Sequence, residues 1–575
     1  MAFAPASASE ITAVSKDAKD GFTTSPTRSC AGLASASSSS APSSDPQATP
    51  KEVHDEEKQT SDGDASDNAD FKLSTTGRLI FCALAVLTLM VAIDGTSISV
   101  ALPRMATDLH GTAMEAFWSG TSFLLCSTVF QPCTATLSNI FGRRPVILVS
   151  LVFFFVGALA AGVAKSFTQI LIGRCIQGVG GGGISVLSEV VVTDLVPLRL
   201  RGSYYGVLSA MYSLGSVLGP ILGRWIFYIN FPFIAMSTIL VLFYFRLQTP
   251  PGTLFHKLCQ IDYAGTILFV GSISSFLIPL TWGGVLHPWT SWRTLVPLLI
   301  GVAGIAAFTV YSVKASNPII PHSIFGNRSA TVSFITSSLQ GLILWGALYY
   351  LPLYYQAVRE FGPILTGIAL FPQTFTVAPS AIFCGIIVTL TGRYRWGLWI
   401  GWSLSIVGLG LLCLLKPHTS TAGWIFLNLP SGLGLGFITA AIVCTVQASA
   451  TNKNLTVAVA MVVFFRAFGQ AVGIAVGGVI FQNRMMQELK RYVEWESQAV
   501  ELSKDAAALV MVIQGMGAGV AKEHLKLAYT DSLRVIWAFM AGVSGMGLGL
   551  SVFVKKYDLN RALKTEQGVE IWVLA

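Results

Sequence analysis

Charged residues are scarce in this chain of 575 residues: Asp, Glu, Lys and Arg make up 11% of it, and hydrophobic residues make up 53%. A soluble globular protein carries about 25% charged residues, because its surface faces water. So few charges cannot cover the surface of a water-soluble chain of this length, and lipid is the natural solvent for it. The composition therefore predicts an integral membrane protein.

The chain also lacks a concentrated basic patch. Its net charge of +8 arises from Lys and Arg residues that stand at the ends of apolar runs, whereas nucleic-acid-binding domains cluster such residues on one face. We therefore expect no nucleic acid partner.

Groups that carry enzyme chemistry are few. The nine cysteines include no CxxC pair and mostly lie inside apolar runs, which is typical of small apolar packing residues. The seven histidines are scattered, and no Gly-Lys-Ser/Thr ending marks a P-loop. A membrane-bound enzyme or receptor would need a metal or nucleophile cluster. We expect no enzyme activity, no metal and no cofactor.

Long apolar runs fill most of the chain. A helix that crosses the roughly 30 Å hydrocarbon core needs about 20 apolar residues. One run is short, and the run at 363–391 is long and contains two prolines, which membrane helices tolerate. The pattern predicts an all-α integral membrane fold of about fourteen spans, at 79–102, 116–136, 145–165, 169–192, 203–223, 231–247, 264–282, 294–313, 330–351, 363–391, 396–415, 423–447, 455–482 and 533–554.

The Lys and Arg residues of the short loops predict the orientation of the chain. Loops on one side hold pairs such as Arg143 with Arg144, whereas loops on the other side hold one each. Basic loops stay in the cytosol, so we expect both termini to be cytosolic. The sequons at Asn327 and Asn454 then lie in cytosolic loops, and we expect neither to be glycosylated.

The same pattern divides the chain into segments. The polar tail at 1–72 cannot bury enough apolar area to order itself and is predicted to be disordered and cytosolic. We expect six-helix halves at 73–247 and 323–558, two linking spans at 248–322, and a cytosolic tail at 559–575. The segment 484–532 is predicted to be an outer loop with a helical pattern, or else a surface helix.

Two loops form an internal repeat. In each, a small residue (Ala135 or Gly385) precedes a Gly-Arg pair by seven positions. Glycine permits a sharp turn, and arginine holds that turn at the cytosolic face. Parallel halves of this kind are a transporter architecture, although two ordinary positive loops would look similar. The pairs are Gly142 with Arg143 and Gly392 with Arg393.

Asp94 and Arg174 are charged residues inside apolar runs. An ionisable residue in a membrane helix is costly and indicates function. By helical rise, Asp94 lies about 22 Å from the inner end of its run and Arg174 about 7 Å from the outer end of its own. The two depths are measured from opposite faces and add up to about the 30 Å thickness of the core, so the residues lie at the same level. We hypothesise that the two side chains face each other. They would form a proton-coupling site, or alternatively a static pair.

Several of these stretches resemble motifs of the major facilitator superfamily. The loop from Ala135 to Arg144 resembles the family signature, but Asn139 stands where an Asp usually latches the inward gate, which leaves latching open here. The stretch Arg174-Cys-Ile-Gln177-Gly178 resembles a second family motif. The resemblance covers about 75–560 and implies two six-helix halves with two extra central spans.

Two further motifs resemble those of exporters in this superfamily. Asp94-Gly-Thr-Ser, continuing to Ala101-Leu-Pro103, is similar to the first span of the fourteen-span drug:proton antiporters. The spacing of Gly215, Gly219 and Pro220 resembles the antiporter motif of span five. The resemblance to fungal efflux pumps extends to further stretches of the chain. These pumps, however, have additional residues between Gly223 and the following Arg-Trp pair. Their absence indicates a deletion or a mis-predicted intron, and it would shorten the outer hairpin after span five.

The resemblance implies proton-coupled export of small organic molecules, such as drugs, secondary metabolites or toxins, by a monomer. Uptake of a nutrient or metal chelate on the same fold is the alternative. The plasma membrane is expected to be the location, with the vacuolar membrane as the alternative. Glu189 is a second candidate for proton coupling, and the candidate cavity residues, whose other role would be helix packing, are Gln340, Trp345, Tyr349 and Arg466.

Overall fold

The computed structural model describes residues 73–108, 113–222, 227–245, 247–283, 287–503 and 506–559. Within these ranges the chain is helical, apart from turns, loops and isolated bridge residues such as Gly283 and His287. The predicted tails at 1–72 and 560–575, and the predicted deletion after Gly223, lie outside the described residues.

The helices follow one another with short connections. We number them in chain order as α1 (Thr75–Asp108), α2 (Ala113–Phe141), α3 (Arg143–Gly162), α4 (Phe167–Leu195), α5 (Arg201–Leu222), α6 (Asn230–Tyr244), α7 (Leu254–Cys259), α8 (Tyr263–Trp282), α9 (Trp292–Lys314), α10 (Arg328–Ala357), α11 (Pro363–Ala369), α12 (Phe371–Thr391), α13 (Arg395–Leu412), α14 (Thr421–Ser449), α15 (Leu455–Leu489), α16 (Ala499–Leu502), α17 (Ala506–Gly515) and α18 (Val520–Ser551).

The helix lengths agree with the predicted spans. Eleven helices in the described part are long and apolar enough to cross a membrane, and α6 is a shorter apolar helix. Helices α2 and α5, with 29 and 22 residues, are also long enough to cross. Together they make the predicted all-α fold of about fourteen spans.

Two predicted segments have a more detailed structure than the sequence indicated. The run at 363–391 contains two helices, the short α11 and the longer α12, that meet at Leu370, and α12 is the helix long enough to cross the membrane. Pro372 lies in the first turn of α12 and has no backbone N–H to donate to the preceding turn, which favours the start of a new helix there. In the segment 484–532, α15 continues to Leu489, α16 and α17 follow, and α18 begins at Val520.

Helix α4 is held between α2 and α3 by glycines that alternate in direction. A Cβ at Gly178 would lie 2.5 Å from the carbonyl oxygen of Phe123 in α2, and a Cβ at Gly180 would lie 2.5 Å from the amide nitrogen of Phe154 in α3. Small residues let membrane helices approach this closely. The polar side chains of α4 therefore point in fixed directions.

Two groups of helices enclose the centre of the molecule. Helices α1–α6 pack mainly with one another, as do α10–α15 with α18. They meet where α5 packs against α12 and where α2 packs against α15. The linking helices α8 and α9 pack together, and α8 also contacts α2 and α15.

The outward-facing side chains are apolar. Large hydrophobic residues such as Val152, Ile172, Leu299 and Phe426 are more than half exposed. Apolar surface of this extent on many helices indicates contact with lipid rather than with water.

Candidate functional site: a buried ion pair and a central cavity

Asp94 and Arg174 meet inside the first group of helices. Asp94 Oδ2 accepts a hydrogen bond of 2.6 Å from Arg174 Nη1. Asp94 is 0% exposed and Arg174 is 1% exposed. The pairing that the depths of the two residues predict is therefore present, and their role in proton coupling stays a prediction.

Two amides complete the surroundings of the carboxylate. Asp94 Oδ1 accepts hydrogen bonds from Gln177 Nε2 at 2.8 Å and from Asn230 Nδ2 at 2.7 Å. Asn230 begins α6 and is fully buried. No sequence motif marks Asn230, although an amide at the start of an apolar helix is a signal that could have indicated it.

The guanidinium of Arg174 has its own partners. Its Nε donates to the carbonyl oxygen of Ser119 at 3.0 Å, and Nη1 donates to Gln177 Oε1 at 2.8 Å. The ring of Phe123 lies 4.3 Å from the guanidinium carbon, within reach of a cation–π interaction. A buried charge with this many partners is oriented, and removal of either ion would leave the other uncompensated, which costs about 3–5 kcal/mol.

A central cavity of about 1190 Å³ lies between the two groups of helices. Its walls come from α1, α2, α4 and α5 on one side and from α10, α12, α14 and α15 on the other. Gly95, next to Asp94, and Phe123, next to Arg174, both line it. The buried pair therefore lies directly behind one wall of the cavity.

Glu189 and Arg466 form a second ion pair, which crosses the cavity. Glu189 Oε1 accepts from Arg466 Nη2, and both side chains are 16% exposed. Glu189 belongs to α4 and Arg466 to α15, so the pair joins the two groups of helices. The other oxygen, Glu189 Oε2, is buried without a hydrogen-bond partner in the described part.

The other predicted cavity residues divide between two cavities. Gln340 and Trp345 line the central cavity, and Gln340 Nε2 donates to Thr439 Oγ1 at 3.0 Å. Tyr349 instead lines a neighbouring cavity of about 920 Å³. Tyr349 follows Trp345 by one helical turn, so sequence spacing alone did not separate the two sites.

Arg143 connects the two groups of helices at the end of the molecule that carries the Gly142 and Gly392 turns, which we call the Gly142 end. Its Nε donates to Asp194 Oδ2 at 3.0 Å, and its Nη1 donates to Asn139 Oδ1 at 2.7 Å. Its Nη2 donates to Thr456 Oγ1 at 2.9 Å, across to α15. Asp194 thus supplies the negative charge that Asn139 lacks.

More hydrogen bonds join the two groups at the Gly142 end. Arg199 Nε donates to the carbonyl oxygen of Thr389 at 2.7 Å. Arg201 Nη1 donates to Gln447 Oε1 at 3.2 Å, and Gln447 Nε2 donates to the hydroxyl of Tyr205 at 2.8 Å. The cavity is therefore closed at this end in the conformation described.

The motif glycines occupy positions that need them. Gly142 has φ of +98° and Gly392 has φ of +64°, which L side chains rarely adopt. A Cβ at Gly215 would lie 2.6 Å from the Cβ of Ala92, and one at Gly219 would lie 2.8 Å from the amide nitrogen of Ser97. Helix α5 can therefore pack closely on α1 next to Asp94.

The remaining motif residues have local roles. Arg144 Nη2 donates to the carbonyl oxygen of Leu242 at 2.7 Å. The carbonyl oxygen of Arg393 accepts from the indole of Trp396 at 2.7 Å. Pro220 lies in the last turns of α5. Among the described residues, no group of three or more His, Cys, Asp or Glu side chains could hold a metal ion.

Comparison with known proteins identifies the family. The family model of the Major Facilitator Superfamily matches residues 84–474. The chain is 50% identical over 498 residues to "MFS transporter L2" from Phoma sp., covering 85% of this chain and 83% of that protein. It is 34% identical to "MFS-type efflux pump LUC4" from Fusarium sp. (86% and 90% covered) and 33% identical to "Efflux pump FUS6" from Gibberella moniliformis (86% and 90% covered).

Solved structures show the same fold at low identity. The human organic anion transporter MFSD10 matches with a TM-score of 0.52 and 14% identity, covering 83% of this chain and all of that chain. A bacterial homolog of the human lysosomal transporter Spinster, inward-facing and occupied, matches with a TM-score of 0.50 and 15% identity, covering 85% and 99%. With these matches, the chain belongs to the major facilitator superfamily, as a multi-pass membrane transporter of small molecules of the fungal efflux-pump type and not an enzyme.

Proposed function

We propose that this transporter is a proton-coupled antiporter that exports small organic molecules, such as drugs, secondary metabolites or toxins. The observation that carries the proposal is the buried carboxylate of Asp94, bonded to Arg174 behind the wall of the central cavity. The names of relatives described as efflux pumps support the direction of transport.

Asp94 is suited to bind a proton in one state and an arginine in another. Burial favours the neutral acid, and the nearby guanidinium favours the carboxylate. These two influences oppose each other, so a small movement of α1 against α4 would change which form is stable. Asn230 and Gln177 hold the carboxylate in place when it is charged.

The pair of Glu189 and Arg466 would link protonation to the movement of the two halves. Because it joins α4 to α15, it must break when those helices separate. A proton or a cationic group of the substrate could then bind Glu189, and an anionic or hydrogen-bond-accepting group could bind Arg466. Exchange of partners at this pair would couple substrate binding to alternating access.

The closed Gly142 end would be the cytosolic gate. With both termini in the cytosol, the bonds of Arg143, Arg199 and Arg201 seal the cavity from the cytosol. Opening toward the cytosol would require these bonds to break. Protonation of Asp94 or Glu189 from outside, followed by release inside, would drive the cycle toward export.

The proton gradient alone would supply the energy. One proton that moves down about 100 mV and about one pH unit provides roughly 3.7 kcal/mol. This amount supports a gradient of several hundred-fold for one neutral substrate molecule per proton. We propose that the transporter works as a monomer in the plasma membrane, with the vacuolar membrane as the alternative location.

The experiment compares cellular accumulation of a panel of fluorescent and toxic compounds in cells that lack their own pumps. Cells would carry the intact chain, Asp94→Asn, the control Asp531→Asn or an empty vector, with and without a protonophore. Asp531 is more than one-third exposed and pairs with Arg534 on the same helix, so its loss should have little effect. Membrane levels of each variant would be measured in parallel.

We expect the intact chain and Asp531→Asn to lower accumulation and the protonophore to abolish the difference. Asp94→Asn should reach the membrane and leave accumulation at the empty-vector level, a loss of at least tenfold in transport rate. Full activity of Asp94→Asn would rule out Asp94 as the coupling residue. Accumulation that rises with the intact chain and falls with the protonophore would show proton-coupled uptake instead.

A further inference from the structure

A second cavity lies beside the central one, where the two halves meet. It lies between α2, α8, α10 and α15, with Ala506 of α17 also contributing, and its empty volume is about 920 Å³ with open solvent included. We call it the seam cavity. Leu124 of α2 lines both the seam cavity and the central cavity, so the two cavities adjoin at this side chain.

The two cavities follow one another along α15. Ala467 and Gln470 line the central cavity, and Ala471 and Ile474 line the seam cavity. One helical turn rises about 5.4 Å. A molecule bound beside Arg466 would therefore need to extend by only one to two turns to enter the seam cavity.

Aromatic contacts of the linking helix α8 close the seam on both sides of this cavity. The ring of Phe276 stacks on that of Phe468 with centroids 5.8 Å apart. Toward the other end of α8, Trp282 contacts Trp118 of α2 with centroids 6.1 Å apart. Leu277, Leu280 and Thr281 lie between these two contacts and line the cavity. The C-terminal part of α8 thus lines the cavity between two aromatic contacts.

The lining of the seam cavity is uncharged. Its seventeen described lining residues include no Asp, Glu, Lys, Arg or His, whereas Glu189 and Arg466 line the central cavity. The hydroxyl of Tyr350 already donates to the carbonyl oxygen of Ile474 at 2.7 Å. A charge placed there would lose hydration without gaining an opposite charge from the described lining, whereas apolar groups gain about 25 cal/mol per Å² of buried surface.

We propose that the seam cavity is a second substrate subsite, which binds the uncharged, apolar part of an amphipathic substrate while its polar or ionised part lies near Glu189 and Arg466. The proposal rests on the proposed transport of small organic molecules, and it makes α8 a helix that contacts substrate. A lipid acyl chain has the same apolar chemistry. The adjacent polar central cavity favours the substrate, because a lipid headgroup stays at the membrane surface.

The test fills the cavity from two walls. In Gly478→Phe, the added Cβ meets only the Tyr350 hydroxyl, at an ordinary 3.4 Å, so the backbone tolerates a side chain there. In Leu280→Trp, the bulk comes from α8. The matched control is Gly545→Phe in α18, where an added Cβ meets nothing within 4 Å. All three variants would be purified, and their thermal unfolding would establish that they fold.

The probe is a long-chain alkylammonium ion with a diazirine at its chain terminus, added to the purified transporter in lipid nanodiscs. After illumination, mass spectrometry locates the adducts. We expect labelling of 277–283 and 471–482, at least fivefold weaker in Gly478→Phe and Leu280→Trp and unchanged in Gly545→Phe. A second arm uses phosphatidylcholine with a diazirine on its acyl chain.

Three outcomes would overturn the subsite: no labelling of α8, labelling that the cavity-filling variants leave unchanged, or labelling by the phosphatidylcholine probe alone. The labelling of the purified transporter does not depend on the direction of transport. Labelling of α8 without protonophore-sensitive export would support the subsite and contradict the proposed function. Export without labelling of α8 would support the proposed function and contradict the subsite.

Discussion

At the scale of single residues, the buried carboxylate of Asp94 depends on donors from other helices. Arg174 and Gln177 come from α4, one helical turn apart, and Asn230 comes from the start of α6. Each donates to an ionised acceptor, and such hydrogen bonds are stronger than those between neutral groups. The amide of Asn230 therefore links the position of α6 to the charge of Asp94.

We predict that Asn230→Ala destabilises the transporter and slows transport. Loss of a buried hydrogen bond to a charged group costs about 1–3 kcal/mol, and it leaves Asp94 Oδ1 with one donor fewer. Thermal unfolding of the purified protein and the transport rate at saturating substrate would measure the two effects.

The control for this variant is Ser237→Ala, also fully buried in α6. The hydroxyl of Ser237 has no hydrogen-bond partner in the described part of the chain, so its removal should be nearly neutral. Equal losses in both variants would mean that Asn230 contributes only packing.

At the scale of elements, the turns after α2 and α12 each contain a glycine with positive φ, but the two turns have different roles. Gly142 lies between α2 and α3 with φ of +98° and ψ of 161°, and Gly392 ends α12 in the left-handed helical region. The turn at Gly142 places Arg143 where it reaches Asp194 and Thr456. At the Gly392 turn, by contrast, Arg393 makes a local bond, in which its carbonyl oxygen accepts from the indole of Trp396.

We predict that Gly142→Ala is more harmful than Gly392→Ala. Left-handed backbone costs an L side chain roughly 1–2 kcal/mol, which applies to Gly392. At Gly142 the backbone is still less accessible to alanine, and the new Cβ would lie 3.1 Å from Thr249 Cγ2. Unfolding temperatures and transport rates of the two variants would be compared.

Gly410→Ala is the matched control for this pair. Gly410 lies inside α13, where a Cβ meets nothing within 4 Å, so alanine should be neutral or slightly stabilising. If Gly142→Ala matched Gly410→Ala in stability and activity, the turn would not require glycine.

Glu360 ties the turn between α10 and α11 to the start of α18. Its carboxylate accepts from Lys526 at 2.6 Å and from Lys522 at 2.9 Å. These hydrogen bonds, first that of Lys526 and then that of Lys522, hold the pKa of the Glu360 carboxyl below its ordinary value. A lowered pKa means that the stabilisation is complete above the ordinary pKa of glutamate and is lost as the pH falls through the folded value.

We therefore predict that acidification from pH 7 to below pH ~4 lowers the unfolding temperature less in Glu360→Gln than in the intact chain. At pH 7 the variant should be the less stable of the two, and the difference should shrink in acid. Thermal unfolding at a series of pH values measures this. A constant difference across the series would contradict the role of the two lysine contacts.

At the scale of the whole molecule, the orientation in the membrane decides whether the closed Gly142 end faces the cytosol or the outside. Asn327 and Asn454, the two sequon asparagines, both lie at this end. Asn327 caps α10 and donates to the carbonyl oxygen of Ser449, and Asn454 donates to Ser323 Oγ. A glycan on Asn327 would disrupt these bonds as well as contradict the orientation.

We predict that the intact transporter carries no N-glycan and that Glu501→Asn adds one. This substitution completes an Asn-x-Ser sequon with Ser503, in the segment between α15 and α18 that the positive-inside rule assigns to the outer side. Expression in a glycosylating yeast, followed by a mobility shift that a glycosidase reverses, would measure the outcome. A glycan on the intact chain, with none added by Glu501→Asn, would reverse the orientation.

The amino-acid sequence by itself determined the membrane class, the number of spans and the pairing of Asp94 with Arg174. These follow from the hydrophobic thickness of a bilayer and from helical rise, which convert chain position directly into depth. Tertiary structure alone decided three further features: the amide of Asn230 beside Asp94, the carboxylate of Asp194 that pairs with Arg143 where position 139 lacks an acid, and the separation of Tyr349 from the central cavity. Depth can be read from a sequence, but the direction in which a side chain points around its helix axis, and the helix that it meets there, depend on packing between segments far apart in the chain.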